Sequence, residues 1–523
     1  MARIAVIGAG MGAMAAAARL AVAGHRVAVY ERGDTHGGGV RRLARDGFAF
    51  DTGPGLLHLP AVYRDLFVKT GKESLEQSVE LSQVDPASRH LFPDGTVLSL
   101  PNASRAGVVQ ALDGAVGAGM GERWSDLVNR AREVWDATRR PLLEEPLRPD
   151  WRVLGRDPYP APRRRGLFRR GAGPAMLADV GKRELRDPRL VALLESYALA
   201  YGFDPRRAPA SATALPYLEQ TFGSWYVRGG MRALADALYE RCRARKVEFS
   251  FGSEVTRIVE KDGRAAGVEL ADGAVAAADS VVCGVDPALL APMLGGTGPW
   301  EEEDVRPGAG PKPNAGAAGG DRGVGRFTVC LAVRGARPES AAHRTVVHAP
   351  DRTAELAGVF GDGDGRPRGA RTPCERPTVT VLRPDDPTTR PDDGHEAVTL
   401  TAAVAPHGPV DWRDAEAVER YADRLAAVAE AAVPGLRDRT LWRAVRTPAD
   451  TAAETGAVDG AVPGPVLAGA DGEFLRPANA TRLPGLYLAG GWSHPGGGLA
   501  HAGMSGAMVA GLIVDGADWR GSQ

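Results

Sequence analysis

The sequence predicts an α/β protein whose parallel sheet is assembled from stretches far apart in the chain. Three observations predict it. Residues 1–31 read as strand, glycine turn, alanine-rich helix and second strand. Ser280-Val281-Val282-Cys283, followed by Asp286-Pro287, reads as a strand returning to the same sheet. Gly485-Leu486-Tyr487-Leu488-Ala489-Gly490-Gly491 reads as a buried strand that ends in glycines.

The N-terminal element carries chemistry. Strand Ile4-Ala5-Val6-Ile7 leads into Gly8-Ala9-Gly10-Met11-Gly12-Ala13, and strand Arg26-Val27-Ala28-Val29-Tyr30 ends at Glu31. Gly8 permits the tight strand-to-helix turn, Gly10 lets backbone approach a pyrophosphate, and Ala13 is the third small position, where helix and strand pack closely. The helix that follows points free N–H groups and a partial positive charge at the phosphates. Glu31, about twenty residues after the glycines, is placed to accept hydrogen bonds from both ribose hydroxyls and to repel a 2′-phosphate. This is a Rossmann-like fingerprint for an ADP-containing cofactor.

Beyond Glu31 comes the turn Gly37-Gly38-Gly39, then a strand marked by Phe48 and Phe50 and ended by Thr52-Gly53-Pro54. Ser88 to Leu91 and Thr96 to Leu100 flank Asp94-Gly95 as a hairpin. Residues 107–202 are mostly helical by apolar spacing, as at Leu190, Leu193, Leu194, Tyr197 and Ala198. Within them, Arg139 to Arg170 is basic, with Arg139, Arg140, Arg148, Arg152, Arg156, Arg163, Arg164, Arg165, Arg169 and Arg170 facing few acids and Trp151, Val153, Leu154, Tyr159, Leu167 and Phe168 interleaved. That pattern leaves open a solvated loop, docking on an anionic lipid surface, or docking of an acidic carrier protein.

Tyr226 to Met231 leads into another helix, followed by strands at Val247 to Phe249 and Val255 to Ile258 and a hairpin at Gly267 to Gly273. Residues 295–325, rich in Gly, Pro and Ala, are predicted to form a mobile loop, as is a shorter stretch at 361–376. Phe327 to Leu331, Thr345 to Val347 and Ala397 to Thr401 read as strands of a second, mixed or antiparallel sheet, with a helix from Ala415 to Ala431 beside it. The last helix, of small residues, is predicted to start near His501 or Gly503 and run to Ile513.

Composition narrows the function classes. At 523 residues the chain holds roughly two to four structural units. The balance of 64 basic against 65 acidic residues argues against wholesale nucleic-acid binding and leaves room for local patches. Cys242, Cys283, Cys330 and Cys374 are far apart and read as reduced, buried thiols of a cytoplasmic protein. No signal-peptide pattern opens the chain, and no apolar run reaches the ~18 residues of a membrane span. No metal-ligand cluster, nucleophile elbow or catalytic triad stands out.

Taken together, the Gly8 fingerprint, Asp46-Gly47-Phe48 to Pro54, Trp225 to Met231, Val255 to Ile258, Arg446-Thr447-Pro448-Ala449-Asp450, Arg476-Pro477 and Gly485 to Gly506 with His494-Pro495-Gly496 resemble the phytoene desaturase family of FAD-dependent carotenoid desaturases and isomerases, within the amine-oxidase-like flavoproteins. The resemblance implies FAD. It implies that Gly8, Gly10, Met11, Gly12 and Ala13 hold the pyrophosphate, Glu31 the adenosine ribose with Arg32 beside it, and the Val255 backbone the adenine. It places Gly37, Gly38, Thr52, Gly53 and Pro54 along the phosphate, ribityl and flavin path, and sets Gly490, Gly491 and Met504 against the flavin. Relatives carry a cation directly after the paired glycines; Gly39 stands there, with Arg41 as the replacement.

The domains implied are FAD binding at 1–75, 222–290 and 475–523, substrate binding at 76–106 and 326–474, and a helical lid or docking region at 107–221. The expected reaction is desaturation of an apolar polyene or allylic substrate by hydride transfer to flavin N5. Two alternatives keep the flavin: oxidation or aromatisation of a carrier-bound acyl or cyclohexadiene substrate, and redox-neutral isomerisation of a polyene. A fourth reading is a protein that retains the scaffold and only binds. His494 is the candidate for proton relay, set against a structural role in bonding a loop carbonyl. His501 and Tyr226 are weaker candidates, and Trp225 and Trp492 are pocket walls. A cytoplasmic protein, peripheral to the membrane, is expected.

Overall fold

The computed structural model describes residues 1–148, 151–160, 175–295, 323–361, 372–406, 408 and 410–521. The 161–174 part of the basic segment and nearly all of the predicted 295–325 loop lie outside these.

A five-stranded parallel sheet has the order Leu486–Leu488, Ser280–Cys283, Arg3–Ile7, Arg26–Tyr30, Glu248–Ser250. Its central strands are apolar on both faces because both are covered. Ile4, Val6, Val27, Val29 and Val282 pack on the helices Met11–Val22 and Met231–Ala244, while Ala5, Ile7, Val281 and Leu488 pack towards a three-stranded antiparallel sheet, Val255–Lys261, Arg264–Leu270 and Val275–Ala277. The helices Met11–Val22 and Leu499–Val514 approach closely because both present small residues. A Cβ on Gly506 would sit 2.6 Å from the Gly12 carbonyl and 2.7 Å from Ala15 Cβ. The last helix starts at Leu499, earlier than the sequence suggested, after Gly498 turns the chain with φ +106.

A seven-stranded mixed sheet has the order Thr440–Arg446, Gly325–Arg334, His395–Val404, Val379–Leu382, Arg344–Val347, Ser88–Leu91, Val97–Leu100. Only the pairing of Arg344–Val347 with Ser88–Leu91 is parallel. Alternation sends Phe327, Val329, Leu331, Val398, Leu400 and Val381 under the helix Ala415–Ala429. The other face carries Thr328, Thr399, Leu382, Arg344 and His90, and the hairpin Arg42–Arg45 with Phe48–Asp51 packs on it through Phe48, Phe50, Cys330 and Ala397. The strand Arg42–Arg45 carries no apolar alternation and is not legible in the sequence. Leu81–Gln83 pairs with Trp225–Val227 rather than joining the large sheet.

The helices Met120–Arg139, Pro188–Ala200 and Ala214–Phe222 form a third body around Trp124, Leu127, Leu190, Leu193 and Leu215. It reaches the last helix through Ala500 and Met504.

Candidate functional site

Three glycine-rich turns meet at the carboxyl ends of the parallel strands. Gly8, at φ +86, turns the chain into the first helix, and a Cβ there would lie 3.2 Å from Val285. Gly10 and Gly37 bridge, Gly37 N–H donates to the Ala9 carbonyl at 2.8 Å, and a Cβ on Gly38 would be 3.1 Å from Gly10 Cα. A Cβ on Gly12 would lie 2.6 Å from Gly490 Cα. The N-terminal fingerprint and the C-terminal glycines are therefore one structure.

Glu31, 8 % exposed, accepts hydrogen bonds from Ala9 N–H and Gly33 N–H, both at 2.8 Å. Each carboxylate oxygen has a second lone pair free for a ribose hydroxyl. Val255 is brought to the same place, since Gly252 N–H donates to Gly33 and Ser253 N–H to the Glu31 carbonyl, each at 2.9 Å. At the helix start, the N–H groups of Met11, Gly12 and Ala13 have no acceptor among the described residues, and a Cβ on Gly10 would meet nothing within 4 Å. Open space, unpaired donors and a buried carboxylate with lone pairs to spare together fit FAD's adenosine diphosphate half.

The cations fall differently. Arg32 donates to the Ala453 carbonyl at 2.6 Å, and Arg41 donates to Gly38 at 3.0 Å and to the Glu454 carbonyl at 3.1 Å. Both thereby cover the C-terminal end of the helix Pro448–Thr455, where cations are favoured. Arg41 stays beside Gly33 and Gly38. A Cβ on Gly53 would be 2.4 Å from the Gly39 carbonyl oxygen, whereas a Cβ on Gly39 would meet nothing nearer than Thr455 at 3.9 Å. Thr52 N–H donates to Arg41 at 3.0 Å and its carbonyl accepts from Arg446 at 2.8 Å, while its hydroxyl is buried without a partner. Gly53 and Pro54 keep exposed surface.

At the other end, Gly490 N–H donates to Ser505 Oγ at 3.0 Å and Gly491 packs against Pro463. Met504 remains half-buried. His494 is fully buried, and burial pulls its pKa down to about 4. Its Nε2 donates to the Glu145 carbonyl at 3.0 Å, and its own carbonyl accepts from Asn479 at 2.7 Å and Ser505 at 2.9 Å. The ring braces the glycine-rich loop against the turn that follows Met120–Arg139, and its Nδ1 has no partner. His501, in the first turn of the last helix, has no ring hydrogen bond among the described residues and is likewise held neutral, its pKa down to about 4 by burial.

A cleft lies between the Phe48–Asp51 strand and the large sheet, lined by Arg42, Asp51, Tyr226, His343, Thr399 and Thr401. Asp51 accepts from Met231 N–H at 2.7 Å and Arg232 N–H at 3.1 Å, capping the helix Met231–Ala244, and burial pushes its pKa up to about 6. Tyr226 donates to Asp386 at 2.8 Å, which with burial keeps the phenol protonated. Sequence reading missed Asp51 and Asp386. The available signal was a helix starting after Gly229-Gly230 with no capping side chain of its own. Asp51→Ala is expected to cost about 1–2 kcal/mol of stability, measured by denaturant unfolding.

One expectation is corrected. Two of the described arginines of the basic segment meet acids: Arg139 pairs with Glu144 at 3.2 Å and Arg140 with Glu145, whereas Arg148 donates to the carbonyls of Ala517 and Trp519. The backbone makes a π-helical turn at Arg140–Glu144, so partners five residues apart meet.

The family model of flavin-containing amine oxidoreductases matches residues 14–326. Hydroxyneurosporene desaturase of Cereibacter sphaeroides is 32% identical over 98% of this chain and 97% of its own. The neurosporene-forming phytoene desaturase of Rhodobacter capsulatus is 27% identical over 98% and 94%. Among solved structures, an oxidoreductase from Methanosarcina mazei has a TM-score of 0.61 at 17% identity, covering 97% of this chain and 99% of that one.

Proposed function

This chain belongs to the flavin-containing amine oxidoreductase family, and from that premise we propose that it desaturates a carotenoid-like polyene. It is an FAD-dependent enzyme of the desaturase type. The observation that carries the reading is the packing of Gly12 on Gly490, which makes one extended cofactor site out of both chain ends, together with full-length similarity to carotenoid desaturases.

The bound flavin supplies the oxidant, taking up the hydride of an allylic C–H. Everything else falls to the protein. Glu31 and the free N–H groups of Met11, Gly12 and Ala13 hold the adenine half. Gly490, Gly491 and the start of the last helix give backbone close approach and a partial positive charge at the ring end. Apolar surface from the helical body, with Met504, Tyr201 and Phe474 half-buried beside it, excludes water. With its Nε2 tied to the Glu145 carbonyl and no exposed surface, the neutral imidazole of His494 is assigned to bracing the loop rather than to base catalysis.

The test is mass spectrometry of the product. An acyclic polyene incubated with the FAD-loaded enzyme and an electron acceptor should lose two hydrogens per new double bond and absorb at longer wavelength. A product of unchanged mass contradicts desaturation.

The substrate is apolar, and among the described residues no helix is long and apolar enough to cross a membrane. We assign delivery to the segment around Arg152, Val153 and Arg156, all exposed, with Val153 65% accessible, docking on anionic lipid. Co-sedimentation with phosphatidylglycerol vesicles that weakens with salt is expected. Equal retention on neutral vesicles, or capture by an acidic carrier protein instead, contradicts it.

A further inference from the structure

The turn Gly37-Gly38, between the strands Arg26–Tyr30 and Arg42–Arg45, holds both glycines at positive φ, +100 and +61. Two adjacent glycines give a free chain many alternatives to that shape. The backbone contributes two bonds, from Gly37 N–H to the Ala9 carbonyl at 2.8 Å and from Val40 N–H to the Gly37 carbonyl at 3.0 Å. Side chains contribute most of the rest.

The helix Met231–Ala244 supplies them. Arg232, Asp236 and Tyr239 recur at i, i+4 and i+7, which places them on one stripe of its surface. Arg232 Nε donates to Asp236 Oδ1 at 2.7 Å, Nη1 donates to the carbonyls of His36 at 2.7 Å and Val40 at 3.4 Å, and Nη2 donates to Thr35 Oγ1 at 2.9 Å. The fifth donor faces His36 Nε2 at 3.1 Å, which in turn lies 2.9 Å from Asp236 Oδ1. The His36 ring stacks on Tyr239, with centroids 4.1 Å apart and planes 7° from parallel. Burial and the Arg232 charge lower the His36 pKa against the pull of Asp236, so the ring stays neutral beside the guanidinium. Gly37 itself presses on the helix, since a Cβ there would lie 3.4 Å from both Arg232 Nη1 and Ala235 Cβ. One guanidinium thus spans the loop from Thr35 to Val40.

A surface pair between Arg232 and Asp236 alone would contribute little. The side chains of Arg232 and His36 are each only 12% exposed, however, and a guanidinium so shielded is retained where its donors are met. Its loop acceptors lie 192 to 197 residues away in the chain. The same residue is fixed from the other side, because its backbone N–H donates to Asp51 Oδ1 at 3.1 Å, at the end of the strand that runs into Thr52 and Gly53. Arg232 therefore joins the two segments expected along the cofactor. With four donors spent and the fifth directed at His36, it has none for a phosphate and can act on the cofactor only through the loop.

We propose that Arg232, braced by Asp236 and His36, is the positioning residue that holds the Gly37-Gly38 turn in its FAD-accepting shape. The proposal rests on the FAD reading above and adds to it a residue that touches neither cofactor nor substrate. Its effect is pre-organisation: the turn is formed before FAD arrives, so binding does not have to order it. A freed turn that holds the accepting shape about one tenth of the time or less weakens binding at least about tenfold.

The test titrates FAD into apoprotein stripped of flavin and follows flavin fluorescence. Trypsin is the independent probe, since Arg32, Arg41 and Arg42 flank the turn. Arg232→Ala is expected to raise the Kd for FAD at least about tenfold and to speed cleavage at those arginines, with a melting temperature close to that of native apoprotein. Guanidinium ion, too dilute to denature, should restore part of the affinity, a rescue that general loss of structure does not permit. His36→Ala should also weaken FAD binding, and the double variant should be no weaker than Arg232→Ala, because the two side chains act as a unit. Where Arg232→Ala does not fold, His36→Ala, which leaves the helix intact, decides. Affinity and cleavage within about twofold of native in the folded variants overturn the latch and leave the cofactor site standing. Native apoprotein that takes up no FAD overturns the site itself.

Discussion

Gly10→Ala is expected to give a folded protein that loses FAD, and Gly12→Val one that loses both fold and FAD. The two glycines sit two residues apart and differ in what surrounds them. Gly10 has φ −72 and ψ 166, which alanine adopts freely, and a Cβ there meets no protein atom within 4 Å. The methyl instead enters the space in front of the unpaired helix N–H groups, where a pyrophosphate passes. A clash of about 1–3 kcal/mol there corresponds to a roughly ten- to hundredfold weaker Kd. At Gly12 the first added carbon lies 2.6 Å from Gly490 Cα, 2.8 Å from Gly490 N and 2.9 Å from the Ala502 carbonyl. All three are backbone atoms, which cannot rotate away, so a branched side chain must separate the first helix from the C-terminal loop and the last helix. That exceeds the ordinary overpacking cost of about 1–3 kcal/mol. Circular dichroism melts and FAD titration separate the outcomes. A Gly10→Ala protein that unfolds, or a Gly12→Val protein that binds FAD normally, contradicts the site.

The second large effect is acid lability. Burial lowers the pKa of His343 and His348 to about 3, of His494 and His501 to about 4, and holds His90 well below 6.5. Geometry supports this for His90 and His348: His90 Nδ1 and His348 Nε2 are 3.0 Å apart and buried, an arrangement that needs at least one unprotonated nitrogen. Each ring is neutral when folded and free to charge when unfolded. The stability this represents is present above pH 6.5 and is lost as pH falls from 6.5 towards 3–4. One unit below 6.5, each costs about 1.4 kcal/mol, so the five together cost roughly 7 kcal/mol, within the range of a whole domain's stability. Asp51 opposes the trend. Its folded pKa is raised to about 6, so it regains stability as pH falls through 6, but under about 1 kcal/mol by pH 5.5. Asp157 and Glu355, also raised by burial, act in the same direction. The melting temperature is expected to fall steeply between pH 6.5 and 5. A flat profile to pH 5 contradicts the buried neutral histidines.

What the sequence reveals and conceals follows from range. The turn at Gly8 to Ala13, the strand with Phe48 and Phe50, and the strands at Ser280 and Leu486 are legible because local geometry or period-two burial dictates their residues. Arg42–Arg45 is hidden because its face is half solvent and its residues alternate no hydrophobicity. The paired arginines Arg139 and Arg140 read as unpartnered because their acids lie five residues on, outside the helical i+4 pattern, and meet only through a π turn. Asp51 with Met231, and Glu219 with Arg344, are separated by 180 and 125 residues. No spacing rule reaches that far; only the packing of sheet, loop and helical body brings them together.

The central claim is that this chain oxidises a polyene with its bound flavin. The most direct measurement mixes FAD-loaded enzyme with an acyclic, partly saturated polyene under anaerobic conditions, with no other acceptor, and follows the visible flavin band. The account predicts bleaching in step with one new double bond per flavin. A flavin that stays oxidised while the polyene is unchanged, or merely changes double-bond geometry, contradicts it.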